Sequence, residues 1–175
     1  IDYCAYEPTI LYVNGDFFGL FGIREKIDEH YIQDNYLINS NEVDLKNSWT
    51  VLAGSDAHFG SSTATLFNAN ANDDGFYELA DSFFDLENYV DYFIIETYGQ
   101  NLDWVGIGWG VNNVKLWRPQ TDDGRWRYVL YDTDACFGYF GVSAFENYLE
   151  SALNPAAPNT HSELFAKFLG NDRFR

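Results

Sequence analysis

The sequence predicts an α+β fold, and three features carry that prediction. A β-rich run from Thr9 to Val13 meets Asn14-Gly15 and resumes in Phe17 to Ile23, the pattern of a tight hairpin. Asp85 precedes Leu86, Tyr89, Val90, Phe93, Ile94 and Thr97, an apolar stripe at helical spacing behind a natural N-cap. Val114 to Trp117 and Trp126 to Asp132 read as strands joined through Pro119 to Gly124, whose Asp-Asp-Gly supplies a turn.

The remaining elements follow in order. Gly19 and Gly22 permit close backbone approach in the return strand of the first hairpin. A helix from Lys26 to Tyr36 then buries Ile27, Tyr31 and Tyr36. Residues 39–75, rich in Asn, Ser, Asp, Gly and Ala, read as a loop-dominated excursion with a short strand near Trp49 to Leu52. Within it, Asn72-Asp73-Asp74-Gly75 is a turn, since it lacks the alternating ligands and terminal Glu of an EF-hand. The helix Asp85 to Tyr98 stops at Gly99, which places Asp103 on a loop just beyond a buried helix. Asp132 and Asp134 lie two apart and share a side if both are extended. Thr160 and Glu163 form a capping box for a final helix from 161 carrying Leu164, Phe165, Phe168 and Leu169.

Composition excludes several function classes. At 175 residues the chain suffices for one good core or part of a larger one. An aromatic content of 19 % argues against disorder. A formal charge of −17 would repel DNA, so general nucleic-acid binding is excluded and solubility in a saline or extracellular setting is favoured. Four of the ten bases, Lys115, Arg118, Arg125 and Arg127, stand close together beside the acidic motifs. An anionic ligand and an alternating hairpin face explain that cluster equally well. Cys4 and Cys136 match neither a zinc site nor a redox CxxC, and Cys136 reads as a buried thiol at least as well as half of a disulfide. No apolar run approaches the roughly 18 residues of a membrane span. No signal peptide is visible, and the ends, without an initial Met, read as those of an internal piece of a longer polypeptide.

The chemistry is concentrated in Asn101-Leu102-Asp103-Trp104, Asn112-Asn113-Val114-Lys115 and Tyr131-Asp132-Thr133-Asp134. Phosphoryl transfer requires little covalent work: an acceptor hydroxyl must be placed and a hard metal held across the phosphates. Mg²⁺ takes oxygen ligands, typically one or two carboxylates with amide, water and phosphate oxygens. Asp132 with Asp134, and Asn113 or Asn112, supply those ligand types, while Asp103 can orient a hydroxyl or accept its proton. Each residue also has a plainer role open to it: a turn cap for Asp103, a tight turn at Asn112-Asn113, an ion pair of Asp132 with Arg125 or Arg127.

The run Tyr12 to Asp28, then Asn101-Leu102-Asp103-Trp104, Asn112 to Arg118, Gly124 to Asp134, Phe137-Gly138 and Ser162-Glu163-Leu164-Phe165 resembles the CotH kinase family, in that family's order and across nearly the whole chain. The resemblance implies an internal part of a protein-kinase-like fold, truncated at both ends, in one partial domain over 1–175. Residues 1–38 would close the N-lobe-like part, 39–84 would be a loop-rich insertion, and 85–175 the catalytic part with its hairpin 114–132. It implies an atypical, ATP- and Mg²⁺- (or Mn²⁺-) dependent kinase from a bacterium, acting on a Ser-rich protein at the cell or spore surface. Asp103 would be the catalytic acid, Asn113 (or Asn112) the metal-binding amide, Asp132 the principal metal ligand and Asp134 a supporting one. Trp126 would lie near the nucleotide, Lys115 beside it, and Glu25 would orient a phosphate-binding base; a core role for Trp126 stands equally open.

Two departures qualify the resemblance. The stretch from Val105 to Val111, flanked by Trp104 and containing Trp109, lengthens the link between Asp103 and Asn112 beyond the four residues of ordinary protein kinases. The family's upstream phosphate-binding turn lies outside the chain, so the piece alone need not be active. A reading from another class also stands: a non-catalytic extracellular binding or assembly module that keeps the fold, its acids binding Ca²⁺ or nothing. Transfer of AMP or an amino acid in place of phosphate is a third.

Overall fold

The structure is a computed structural model that describes residues 1–141, 143 and 145–175. Its centre is a mixed five-stranded sheet in the order β1-β7-β6-β4-β5. The strands are β1 (Asp2–Tyr3), β4 (Val43–Asn47), β5 (Thr50–Ala53), β6 (Lys115–Pro119) and β7 (Arg127–Leu130). Only the β1–β7 pairing is parallel. A separate two-stranded sheet holds β2 (Tyr6–Val13) and β3 (Asp16–Arg24). Its turn is the one the sequence predicts, with Asn14 at φ 54° and Gly15 at φ 92°, the left-handed pair that suits the twist of a hairpin.

Strand alternation divides the core into two layers. Leu116 and Tyr128 face one side with Val114 and Trp126; Trp117 and Val129 face the other with Val43 and Leu45. The second side is covered by helix α1 (Glu29–Tyr36), which brings Tyr31 and Ile32, with Ile27 ahead of it. The first side is covered by α2 (Ala57–Asn68), α3 (Phe76–Phe83), α4 (Leu86–Gly99), α5 (Tyr148–Leu153) and α6 (Thr160–Leu169). That larger core is strongly aromatic: Phe93 stacks on Phe165 at 4.2 Å and on Tyr89 at 4.6 Å, and Tyr92 stacks on Tyr128 at 4.9 Å. Such pairs contribute about 0.5–1.5 kcal/mol each beyond area burial.

Helix α4 matches the expected range and is capped by Asp85, whose side chain accepts the Asn88 N–H. Its buried face differs from the expected stripe. Leu86, Tyr89 and Phe93 are buried as expected, but Tyr92 and Glu96 join them while Ile94 is 58 % exposed. The helix end also differs: Gln100, at φ 57°, is the left-handed cap, and Gly99 lies inside the helix. Gly99 serves packing, since a Cβ there would stand 3.2 Å from Cys136 Sγ.

Residues 39–84 are not loop-rich. They contain β4 at the interior of the sheet, β5, α2 and α3, so they are integral to the core. Strand β4 was masked by Asp44 and Lys46, charged residues that alternate with Val43 and Leu45 yet are themselves buried. Helix α2 was masked by its Gly, Ser, Thr and Asn content, because its buried face is Phe59, Ser62, Thr63 and Leu66. Two of those four positions are small hydroxyl residues, and Thr63 satisfies its hydroxyl on Phe59 O at 2.8 Å. The capping box of α6 sits one residue earlier than expected, between Asn159 and Ser162 rather than Thr160 and Glu163. The Asn72–Gly75 segment is a turn, as read.

Three of the four clustered bases, Arg118, Arg125 and Arg127, resolve as an ion-pair system. Arg118 donates to Asp44 at 2.8 Å, to Thr121 O at 2.7 Å and to Gly124 O at 3.1 Å, while Gln120 and the Ser55 N–H satisfy the other Asp44 oxygen. Arg127 holds buried Asp2 and also pairs with Asp85; Arg125 pairs with Asp81. Burial works to raise the Asp2 pKa, but Arg127 with the Tyr36 and Trp117 donors holds it below the usual carboxylate value. Both cysteines are free. Arg118→Ala leaves Asp44 buried without its counter-charge and should cost about 3–5 kcal/mol in urea unfolding; a loss under 1 kcal/mol would contradict this account of the pair.

Candidate active site

Two chain ends converge at one corner of the fold. Helix α4 ends at Gly99 and delivers Asp103 four residues later; strand β7 ends at Leu130 and delivers Asp132. The ends are laced together by the backbone, with Leu102 N–H donating to Ala135 O and Phe137 N–H to Gly99 O.

Asp103 is gripped rather than free. Asn112 Nδ2 donates to its Oδ1 at 2.6 Å, and Asn113 Nδ2 donates to its Oδ2 and its backbone oxygen, both at 3.1 Å. Its own N–H donates to Asn101 Oδ1 at 3.1 Å. The neighbouring Trp104 is fully buried and donates from its indole to Tyr92 Oη at 2.8 Å, while Tyr92 Oη donates to Asn113 O at 3.3 Å. The long link between Asp103 and Asn112 is thus pinned from beneath. Asn159 Nδ2 donates to Val105 O, and Gly106 lies so close to Ala157 O that no side chain fits there. The far end of the link carries Trp109, 54 % exposed and edge-on to Phe140.

Beside this loop opens a cavity of about 890 Å³, lined by Arg24, Lys26, Lys115, Tyr131, Asp132 and Asp134 among others. Glu25 also lines it. Asp132 is not extended: its φ of 55° turns the chain out of β7. The two carboxylates nonetheless line the same cavity, by that turn and not by strand alternation, close enough for the Asp134 charge to act on Asp132. Desolvation by the cavity walls raises the Asp132 pKa, the Asp134 and Asp103 charges raise it further, and Arg24 opposes them. Like charges held this close favour either a proton or a cation between them.

Lys115 points its Nζ at Ile27 O, 3.2 Å away, and lies 4.4 Å over the Tyr131 ring. Burial lowers its pKa. Glu25 faces the cavity, and its carboxylate accepts the Ala5 N–H at 2.9 Å and Asn35 Nδ2 at 3.3 Å, bonds that fasten the base of the β2–β3 hairpin. Trp126 does not reach the cavity. It is fully buried, edge-on to Phe59, with its indole N–H on His58 Nδ1 at 3.0 Å, and a buried ring cannot stack on a nucleotide. The bases the sequence reading passed over are Arg24 and Lys26, two charges ending the first hairpin on the cavity side. Their signal was present as Arg24-Glu25-Lys26 directly after an apolar strand.

The donor set suits a hard cation. Asn113 spends its amide nitrogen on Asp103 and keeps its Oδ1, though it does not line the cavity in which Asp132 and Asp134 supply two carboxylates. Among the described residues no three His, Cys, Asp or Glu side chains are spaced to hold a metal by themselves. A Mg²⁺ site completed by phosphate and water needs only one or two carboxylates, so the residues fit that group and not a closed protein cage.

A family model described as CotH kinase protein matches residues 1–175. The chain belongs to the CotH kinase family. Searches of curated proteins and of solved structures gave no match. Membership suggests a kinase-like function for the chain. No helix among the described residues is long and apolar enough to cross a membrane.

The electrostatics of the cavity yield a prediction. Asp134→Asn should lower the Asp132 pKa and Arg24→Ala should raise it, both read from the carboxyl carbon in ¹³C NMR titrations. An Asp132 titration indifferent to both changes would show that these side chains do not share one site.

Proposed function

We propose that this family member is an ATP- and Mg²⁺-dependent phosphotransferase, with a protein serine as the acceptor class, built on a protein-kinase-like arrangement. One observation carries the reading. An acid clamped by two amides, Asp103, stands within electrostatic reach of the paired acids Asp132 and Asp134 on a cavity that also presents Arg24, Lys26 and Lys115. Those are the parts phosphoryl transfer requires: a group to orient the nucleophile, oxygen ligands for a metal, and positive charge for phosphate oxygens.

Asp103 orients the acceptor hydroxyl and takes up its proton as the hydroxyl oxygen bonds to the γ-phosphorus and the bond from that phosphorus to the bridging oxygen breaks, releasing ADP. The clamp by Asn112 and Asn113 holds its carboxylate in one rotamer, so positioning is supplied in advance of binding. Lys115 and Arg24 hold phosphate oxygens by charge-assisted hydrogen bonds. Asp132, Asp134 and Asn113 Oδ1 would hold Mg²⁺ or Mn²⁺, which would supply positive charge to neutralise the phosphate oxygens. The acidic chain, at −17, otherwise repels a nucleotide, which makes the basic rim of the cavity a requirement for entry. Surface or spore-coat location follows the family's association and the acidity of the chain.

A second reading, a non-catalytic surface-binding module, has one observation behind it. The β2–β3 hairpin exposes Tyr6, Ile10, Tyr12, Phe17, Phe18, Leu20 and Ile23, an apolar surface suited to a protein contact.

The variants separate these readings. Asp132→Ala should abolish Mg-dependent nucleotide binding by calorimetry. Asp103→Ala should retain that binding while transfer to Ser-containing acceptors, followed by mass spectrometry, falls about 10²–10⁴-fold. Transfer undiminished in Asp103→Ala would remove it from the mechanism. A protein that neither binds nucleotide nor transfers phosphate would leave the binding-module reading.

A further inference from the structure

Glu96 is the one carboxylate on the buried face of α4, and packing does not explain it. It lies in the last turn, fully buried, where the helix already presents partial negative charge. Among the described residues its Oε1 has no hydrogen-bond partner, and its Oε2 accepts only from Asn101 Nδ2, at 2.8 Å. An apolar residue there would fold at lower cost, because a buried carboxyl left half-satisfied is destabilising.

The geometry shows what the carboxyl accomplishes. With its Nδ2 fixed on Glu96, the Asn101 amide has one orientation, in which Oδ1 receives the Asp103 N–H at 3.1 Å. Asn101 is itself fully buried, and its backbone N–H returns to Glu96 O at 3.1 Å. Two bonds therefore run from the end of α4 to the backbone of the acid that the proposed reaction uses. We propose that Glu96, acting through Asn101, is the positioning residue that sets the placement of Asp103; the proposal rests on the reading of Asp103 as the group that orients the acceptor.

The ionisation of Glu96 gives this contact a dependence on pH. Burial pushes its pKa up to about 7, against which the Asn101 bond pulls down. The titratable groups facing it are Tyr92, one turn earlier, and Cys136, on the segment after Asp134; burial holds both neutral, the thiol with a pKa of about 12. The ionised carboxylate binds the Asn101 amide more strongly than the protonated acid does. Asp103 is thus held most firmly above pH 7. The opposite sign applies to stability, since the folded state keeps the Glu96 proton above the ordinary value of 4.5 and loses stability as pH rises from there to about 7.

The experiment follows the Asp103 amide by ¹⁵N NMR between pH 5 and 9, beside transfer kinetics. In the unaltered protein the amide should be protected from exchange and its shift should titrate near pH 7. Glu96→Gln keeps the acceptor oxygen and removes the charge, so protection should persist while the titration disappears and the rate loses its rise through pH 7. Asn101→Ala should lose the protection and lower kcat on the order of 10- to 100-fold at unchanged nucleotide KM. An Asp103 amide unaffected by pH and by both substitutions would overturn the proposal. The expected NMR behaviour with no phosphate transferred would instead reject the phosphotransferase reading and leave the positioning role intact.

Discussion

The packing of α4 across β7 is the constraint on which the rest depends. Asn88, in the first turn of α4, donates to Tyr128 O at 3.1 Å and accepts the Tyr128 N–H at 2.7 Å, so one side chain completes both backbone groups of a buried strand residue. Around that bond, Tyr89, Tyr92 and Phe93 of the helix close on Tyr128. A helix and a strand locked in register have their downstream ends locked as well. Asp103 follows the end of one and Asp132 the end of the other, and their meeting is a consequence of that packing rather than of any attraction between two acids.

Charge is distributed to serve the same corner. Arg118, Arg125 and Arg127 are consumed by Asp44, Asp81, Asp85 and Asp2 within the fold. Arg24, Lys26 and Lys115 line the cavity, and Lys26 alone of these is held by an acid, Asp28, among the described residues. In a chain of net charge −17 this leaves positive potential beside Asp132 and Asp134. Desolvation sharpens the effect, since Lys115 is shifted toward its neutral form and Asp132 toward its protonated form, and an anionic ligand with a metal would relieve both.

Much of this was legible wherever local chemistry decides structure. The Asn14-Gly15 turn, the Asp85 cap and the two hairpins all follow from short-range rules. Reading failed where tertiary burial overrode composition. Asp44 and Lys46 lie inside a strand that looks polar, and Ser62 and Thr63 lie on the buried face of a helix that looks like a loop. Trp126 shows the same limit in reverse, because an aromatic residue beside a motif cannot declare from sequence whether it faces a ligand or the core.

The sequence by itself determined the first hairpin, α1, α4, the β6–β7 hairpin and α6, the order of the acid, amide and paired-acid motifs, and the family to which the chain belongs. Only the tertiary structure decided that Arg118, Arg125 and Arg127 serve folding while Arg24 serves the cavity, and that Glu25 fastens the base of the first hairpin. It also decided that Glu96, one unremarked acid in an amphipathic helix, lies beneath Asp103. The reason is physical. Local propensity acts over a few residues, whereas the partner of a charge is set by long-range packing, and for a buried group that partner decides its role.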